Sequence, residues 1–527
     1  MPVTRRDFVT QSSLALTALA LPPSRFGTVG AQRVQGGDPL AKQLCMLALD
    51  AARGAGAQYA DARVVAMRRQ VVSALGEQPG PPEETEDLGF GVRVLVDGVW
   101  GYSSGPDVAR RQAFRLAQEA VDQARATGAV RQDIQLAPIL ANPDGEWRSP
   151  IRVDPFDIPP EDKLELLVGA NTEALRVRGV QSASATITCM RVTTTFASTA
   201  GSLLEQTVYR THPSMVVTAS DGEVVVSRTS SDVAPAGLGY EHVHAADLPG
   251  RAAAWADEAL ALVSAPPVEA GSYDVVLMPS MLGRVIHETI GRAAELDRAL
   301  AHGEGGEVTS FLAPPERMLN AFRFGPEFMN VQGDRTQRGA LATVGWDDEG
   351  VPADAWSLVK DGLLADYHTT RATASRIAEY TGIEQSHGCA DAESWRFPPL
   401  LRMPNVSLLP GEEGHTADDL VAATERGLLI EGHGPFVVGP QGLEFRIAGQ
   451  WARVIRDGAV REPVRLAAIE GRSPDFWNSL DMLGGPDTYA LTGIVDEPKG
   501  DPAQRSSASH GCPVARFRKV QVVAVSG

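Results

Sequence analysis

Cysteine is scarce in this chain. Four residues, Cys45, Cys189, Cys389 and Cys512, among 527 are too few for a disulfide-built scaffold. Basic charge is also short. The 48 Lys and Arg stand against 66 Asp and Glu, a formal net charge of −18. Nonspecific nucleic-acid binding needs clustered cations, so this balance argues against it, and an acidic surface chiefly implies solubility. Beyond the N-terminal segment no apolar run is long enough to span a bilayer. The glycine-rich stretch Gly303-Glu304-Gly305-Gly306 has neither a preceding strand nor a following Lys-Ser/Thr, which argues against a phosphate loop.

The N-terminus has the layout of a targeting segment. Thr4-Arg5-Arg6-Asp7-Phe8 carries paired arginines before an aromatic, followed by a mildly apolar run from Ser13 to Leu21. Small residues at Ala18-Leu19-Ala20 and Val29-Gly30-Ala31 offer cleavage points. Residues 1–31 therefore read as a twin-arginine signal, and the mature protein as periplasmic or extracellular.

The remaining length suits two main domains. Residues 32–268 alternate helical and strand patterns. Leu40 to Ala55, Val108 to Thr127, a stretch from Pro160 to about Val177, and Ala245 to Val263 have helical periodicity. Cys45 falls on the first of these as a small buried hydrophobe. Gly76 to Asp87 reads as a mobile loop, Asp97-Gly98 and Asp221-Gly222 as hairpin turns. Ala265-Pro266-Pro267 marks a boundary. Residues 269–527 are β-rich, with further hairpins at Asp361-Gly362 and Asp457-Gly458 and a meander from Gly427 to Ala468. The fold class is α+β, a mixed α/β domain followed by a β-rich one.

The chemistry concentrates on Arg284 to Asp297. Ile286, Ile290, Ala293 and Leu300 give this segment an apolar face, and it carries the adjacent pair His287-Glu288. An imidazole beside a carboxylate can act as metal ligand and general base, and also occurs by chance on a helix surface. Arg292 lies four residues after Glu288, in pairing distance on a helix. It lies five after His287, so the two share a face only if the helix is distorted, which Gly291 permits. An arginine stays protonated and does not ligate a metal.

The segment resembles the His-Glu-x-x-x-His motif of the TldD/PmbA family, metallopeptidases also called modulators of DNA gyrase. His287, Glu288, Gly291, Glu295 and Asp297 fall on matching positions. Asp347-Asp348-Glu349-Gly350-Val351-Pro352, Ser394-Trp395-Arg396 with Arg402-Met403-Pro404-Asn405, Pro474-Asp475-Phe476-Trp477-Asn478-Ser479 and Ser509 to Phe517 are similar to further family segments. The resemblance implies a zinc peptidase that forms dimers enclosing a chamber and cleaves unfolded peptides. Its zinc is held by two histidines and a C-terminal cysteine. Here Arg292 stands at the second histidine and Glu497 at the cysteine, so His287 and Glu497 are the remaining metal candidates and Glu288 the candidate base. Arg292 and Glu497 can instead form an ion pair across the emptied site.

Three readings follow. One is a zinc-deficient subunit in a homo- or heterodimer beside an active partner chain, with no zinc or weak zinc of its own. Another is a metallopeptidase using His287, Glu497 and a third ligand. The last is a binding module for extended peptides. Ser386-His387-Gly388-Cys389 repeats as Ser509-His510-Gly511-Cys512, which offers a separate four-ligand possibility or packing roles. His242 and His244 read as an alternating solvated edge, and Trp477 as a core anchor.

Overall fold

The computed structural model describes residues 39–127, 134–301 and 309–525. The twin-arginine segment and Gly303–Gly306 lie outside the described residues. Among those described, helices and strands alternate in the first half and strands dominate the second, an α+β fold.

One eight-stranded sheet organises the first half. Its spine is the pair Tyr59–Leu75 and Val180–Ser198, antiparallel from Asp61↔Ser198 to Leu75↔Ser184. Glu83–Val96 and Val99–Gly105 extend it on one side, Leu203–Ser220 on the other. Two helix pairs supply two cores. Pro39–Gly54 buries Leu44, Cys45, Ala48 and Leu49 beside Arg110–Ala126. Pro160–Leu175 packs with Leu248–Ser264 over the far ends of the strands. Burial pushes the Cys45 thiol up to about 12, so it behaves as a hydrophobe.

The loop expected from Gly76 to Asp87 is largely strand. The chain turns at Gly76, pairs through Gln78 and Pro79 with Leu75 and Ala74, and pairs again from Glu83, with Gln70 opposite Glu84. Its Glu84 is held from the facing strand, by Arg68 Nε at 2.5 Å and by the Gln70 amide Nε2 at 3.2 Å. Cross-strand charge pairing stabilises a segment whose composition alone reads as loop. The four Asp-Gly pairs expected at hairpins, at 97, 221, 361 and 457, lie at turns between paired strands. Asp97, Asp361 and Asp457 take positive φ, which the two-residue turn demands.

In the second half, Arg426–Val438, Gly271–Leu277, Ala515–Ala524, Ala467–Arg472 and Glu444–Arg456 pair in that order. Arg426–Val438 also pairs with Glu444–Arg456, which closes the sheet on itself. The closed sheet encloses a core containing Trp477, Phe476 and Phe517. Trp477 is fully buried and donates to Thr289 Oγ1 at 2.9 Å. The two halves are tied by charge. Arg93 bridges Asp61 (2.6 Å) and Glu349 (3.1 Å), and Arg63 reaches Asp348 (2.7 Å). The Asp347-Asp348-Glu349 segment thus fastens the N-terminal sheet to the second half.

Candidate functional site

Strand Gly271–Leu277 leads into helix Pro279–Ile286, which runs against the hairpin Ala490–Lys499 and Gln504–Cys512. Gly283 allows the approach, since a Cβ there would lie 2.0 Å from Thr492 Oγ1. From His287 to Gly291 the helix widens into a π-turn, and Arg292 N–H donates to the His287 carbonyl at 3.1 Å. This i→i−5 bond rotates residue 292 toward the face of residue 287. Gly291 sits where a Cβ would meet Met403 Sδ at 2.1 Å. The glycine is needed for close packing as well as for the distortion.

Glu288 is buried between two guanidiniums. Its Oε1 accepts from Arg284 at 3.0 Å and its Oε2 from Arg292 at 3.2 Å. Both partners are four residues away on the helix. Glu497 arrives from the hairpin. A register shift between Ile494 and Glu497, with Asp496 at φ +64°, turns its side chain inward. Its Oε2 lies 3.1 Å from His287 Nε2 and its Oε1 3.8 Å from Arg292 Nε. Burial raises the Glu497 carboxyl, but His287 and the nearby arginines outweigh it and hold the group down to about 2.

A chain of hydrogen bonds sets the imidazole tautomers. His510 Nδ1 lies 3.1 Å from the Val406 carbonyl, which only accepts, so His510 donates there. Burial, then the neighbouring His287, pushes the His510 pKa well down, so the ring is neutral and its Nε2 is an acceptor. His287 Nδ1, 2.9 Å away, donates to it. His287 Nε2 is left buried, facing Glu497 but off the line of a hydrogen bond.

Unprotonated, that nitrogen would have the orientation a metal ligand requires. The rest of the donor set does not fit zinc. Among the described residues, His287, Glu288 and Glu497 are the group close enough to share an ion, with ligand atoms within 4.8 Å of one another. Both oxygens of Glu288 are taken by arginines, which leaves two donors where a zinc centre uses three or four. The Arg292 guanidinium stands beside both carboxylates as a fixed cation. Arg284 and Arg292 thus supply cations beside Glu288 and Glu497 without a metal.

The remaining candidates scatter. The two Ser-His-Gly-Cys copies do not meet. His387 is held by Asp354 (2.8 Å) and Asp366 (3.0 Å), and Cys512 Sγ lies 3.7 Å from the Pro279 carbonyl. His242 and His244 lie on the short helix Glu241–Ala246 rather than on an extended edge. His242 Nε2 is 2.7 Å from the Ala234 carbonyl. Alternation of two polar residues does not separate strand from a single helical turn.

Sequence models of the PmbA/TldA metallopeptidase match three successive regions: domain 1 at residues 60–126, the central domain at 153–265 and the C-terminal domain at 270–524. The chain belongs to the PmbA/TldD family. A metalloprotease from Methanothermobacter thermautotrophicus is 27% identical over 470 residues, covering 88% of this chain and 95% of that one. A zinc metalloprotease TldD homolog from Saccharolobus solfataricus is 26% identical over 261 residues, 48% of this chain and 52% of its own length. In structure the chain is similar to TldE from Thermococcus kodakarensis (TM-score 0.68, 13% identity, 92% of this chain and all of that one). A Thermotoga maritima protein described as a candidate modulator of DNA gyrase is also similar (TM-score 0.71, 14% identity, covering 92% and 100%). At these identities the structural likeness establishes the fold. The PmbA/TldD sheet of the first half is continuous, although two family domains divide it.

Some residues of this PmbA/TldD site escaped sequence reasoning. Arg284 carried a signal, since it precedes Glu288 by four positions. His510 carried none toward His287, being 223 residues away. Arg298, Arg402 and Lys499 converge beside the cluster from three separate segments.

Proposed function

We propose that this PmbA/TldD chain is a zinc-deficient subunit that holds extended peptides for proteolysis beside a metal-bearing partner chain. The observation that carries the reading is the position of Arg292, paired with Glu288 and beside Glu497 where a third ligand is needed. Proteolysis of peptides is the general role of the family, and the preserved scaffold around an ion cluster supports a part in that role without bond cleavage by this chain. Here Glu288 serves as the counter-ion of two arginines rather than as a base.

Elemental analysis tests the metal side. After dialysis against a chelator the purified chain is expected to hold no zinc, and near-stoichiometric zinc would refute the reading. Co-expression with a family member that retains both histidines and the cysteine tests the partner side. A stable heterodimer that cleaves unfolded peptides is the expected product.

The proximity of His287, Glu288 and Glu497 ligand atoms favours a second reading, a metallopeptidase completed by another ligand. Retained zinc together with chelator-sensitive cleavage by the isolated chain would establish it. A homodimer that binds peptides, without a partner and without cleavage, would instead mark a binding module.

Export by the twin-arginine route is part of the proposal, supported by Thr4-Arg5-Arg6-Asp7-Phe8. Replacing Arg5 and Arg6 by Lys is expected to leave the precursor in the cytoplasm. Unchanged processing in that variant would exclude the route.

A further inference from the structure

The first-half sheet outruns its cover. Tyr59–Leu75, Val180–Ser198 and Leu203–Ser220 each run about 60 Å, and helices line one face of them. On the other face the second half reaches as far as Arg210 and Thr229, which donate to the Leu341 carbonyl and to Gln450 Oε1. Beyond that border the face is open, and burial alternates with exposure along Val180–Ser198 and Leu203–Ser220. Three exposed apolar side chains stand on it, Leu75 (62%), Val216 (37%) and Val225 (65%). Leu75, Ser184 and Val216 face one another across three strands, as do Ser73, Thr186 and Ser214 in the next row. Between the row of Arg69 and the far turns, the open side of these strands and of Val225–Thr229 holds Ser, Thr, Val and Leu and no Asp, Glu, Lys or Arg. His212, at the inner margin, is pushed down to about 4 by burial and then by His242, so it is neutral. Charged residues make up 22% of the chain, and a sheet face given to water normally carries them. Here the carboxylates stand around the border instead: Glu83 opposite Val71, Glu77 on the turn after Leu75, and Asp221 on the turn after Ser220.

We propose that this open face packs against the same face of a second copy of the chain. Two copies of a chain with net charge −18 repel each other, and a surface free of carboxylates is where they approach at least cost. The charges at its ends are complementary to themselves. About the central row Ser73, Thr186 and Ser214, Arg69 lies four residues to one side along its strand and Glu77 four residues to the other. A two-fold axis running along that row, between the two sheets, lays each strand antiparallel over its own copy. Arg69 of each copy then lies over Glu77 of the other, twice in one dimer. Both residues are exposed, and among the described residues neither is ion-paired within its own chain. The short Ser, Thr and Val side chains suit two sheets stacked about 10 Å apart. The open area, roughly 20 by 30 Å, gives about 600 Å² on each copy. Two such faces bury about 1,200 Å², the lower end of specific interfaces. An extended peptide is a poorer occupant, because the face offers no free main-chain N–H or C=O, these being used in the ladders. The face belongs to the first-half sheet and does not involve the His287 cluster, so the proposal stands or falls apart from the peptide-holding reading.

Sedimentation velocity of the purified full-length chain, from about 1 to 100 μM, tests this, and a concentration-dependent dimer is expected. Thr186→Glu sets two carboxylates against each other on the axis and is expected to weaken the dimer at least about a hundredfold. The position is half-exposed in the single chain, so circular dichroism and the thermal midpoint of the dilute variant should match the wild type. Arg69→Glu and Glu77→Arg change only exposed ends. Each alone is expected to weaken the dimer about tenfold, and the two together to bring it back to within about threefold of wild type. Phe114→Glu, an exposed apolar residue on Arg110–Ala126, should leave the dimer intact. A chain monomeric at every concentration would overturn the proposal, as would a dimer undiminished by Thr186→Glu. A double variant no better than its singles would overturn the two-fold arrangement, and equal loss in Phe114→Glu would place the contact elsewhere. If the chain is monomeric alone, and an unfolded peptide or a co-expressed family chain slows hydrogen exchange across residues 182–190, the face belongs to that occupant and not to a second copy. The zinc and cleavage measurements described for the peptide-holding reading are read separately from all of these.

Discussion

The same four residues, Ser-His-Gly-Cys, occur at 386–389 and at 509–512, with opposite physical outcomes. His387 lies between Asp354 and Asp366 and stacks on Trp356 at 4.3 Å with an interplanar angle of 6°. Burial opposes its charge, but the two carboxylates outweigh burial and push its pKa up. His510 lies between a carbonyl and a second imidazole, so burial prevails and the ring stays neutral. One copy has a ring whose charged form is favoured; the other passes an orientation to His287. The glycines differ too. Gly388 takes φ +68°, whereas Gly511 lies in a strand where a Cβ would fall 1.7 Å from the Tyr489 hydroxyl. The two cysteines alone share a fate, both buried with thiols pushed up by desolvation. Identical local sequence leaves electrostatics open, because a pKa is set by groups brought in from elsewhere.

The largest test of this contrast rebuilds the metal ligands that His510 is placed to support. Arg292→His with Glu497→Cys should raise zinc affinity by on the order of a thousandfold, and each single change should raise it little, because ligands act together. Competition with a chromogenic chelator reads all four proteins. Adding His510→Leu should take back about ten- to a hundredfold, since the N–H acceptor that orients His287 is lost. His387→Leu in the same background should change zinc affinity negligibly. Equal affinity across the set would mean that residues 292 and 497 do not face a common site with His287.

A second test removes the carboxylate at the centre of the cluster. Glu288 is 1% exposed and holds two guanidiniums, so Glu288→Ala leaves buried charge unpaired and should cost about 3 kcal/mol in urea denaturation. Wild-type stability in that variant would sink the ion-cluster account.

The glycine copies allow a smaller and more direct comparison. Gly511→Ala must displace the Tyr489 hydroxyl, which accepts from Gln337 and contacts Ser407, and should cost about 2 kcal/mol. Gly388→Ala meets its nearest atom at 3.3 Å and pays chiefly for positive φ, about 1 kcal/mol. Reversal of that order would show that Tyr489 moves away freely.

The smallest effect is in pH. The folded His387 pKa lies above its ordinary 6.5. Its stabilisation is therefore complete below about 6.5 and is lost as pH rises through the folded value. Urea midpoints of wild type should fall over that rise, and His387→Gln should show a flatter profile. An unchanged slope would place the stabilising charge elsewhere.

Much of the architecture could be read from local patterns. The Asp-Gly turns, the amphipathic helices, buried Cys45 and buried Trp477 each depend on residues within a few positions of one another. Glu83 to Asp87 misled because its partner is Arg68 and Gln70 across a strand pair, which composition does not reveal. His242 and His244 misled because two alternating polar residues fit a helical turn as well as an edge.

At the site itself, the amino-acid sequence alone determined the chemistry available. An arginine five residues after His287 brings a permanent cation, a glycine between them permits the π-turn, and a carboxylate four residues back can receive the charge. Tertiary structure alone decided how those groups combine. It brought Glu497 within 3.1 Å of His287, chose the imidazole tautomers through Val406 and His510, and buried Arg402 against Ser506 and the main-chain carbonyls of Glu497 and Gln504. Spacing along a helix constrains near neighbours to a few ångströms. Contacts between residues hundreds of positions apart depend on how the whole β-rich half closes, and the field each group feels depends on those contacts.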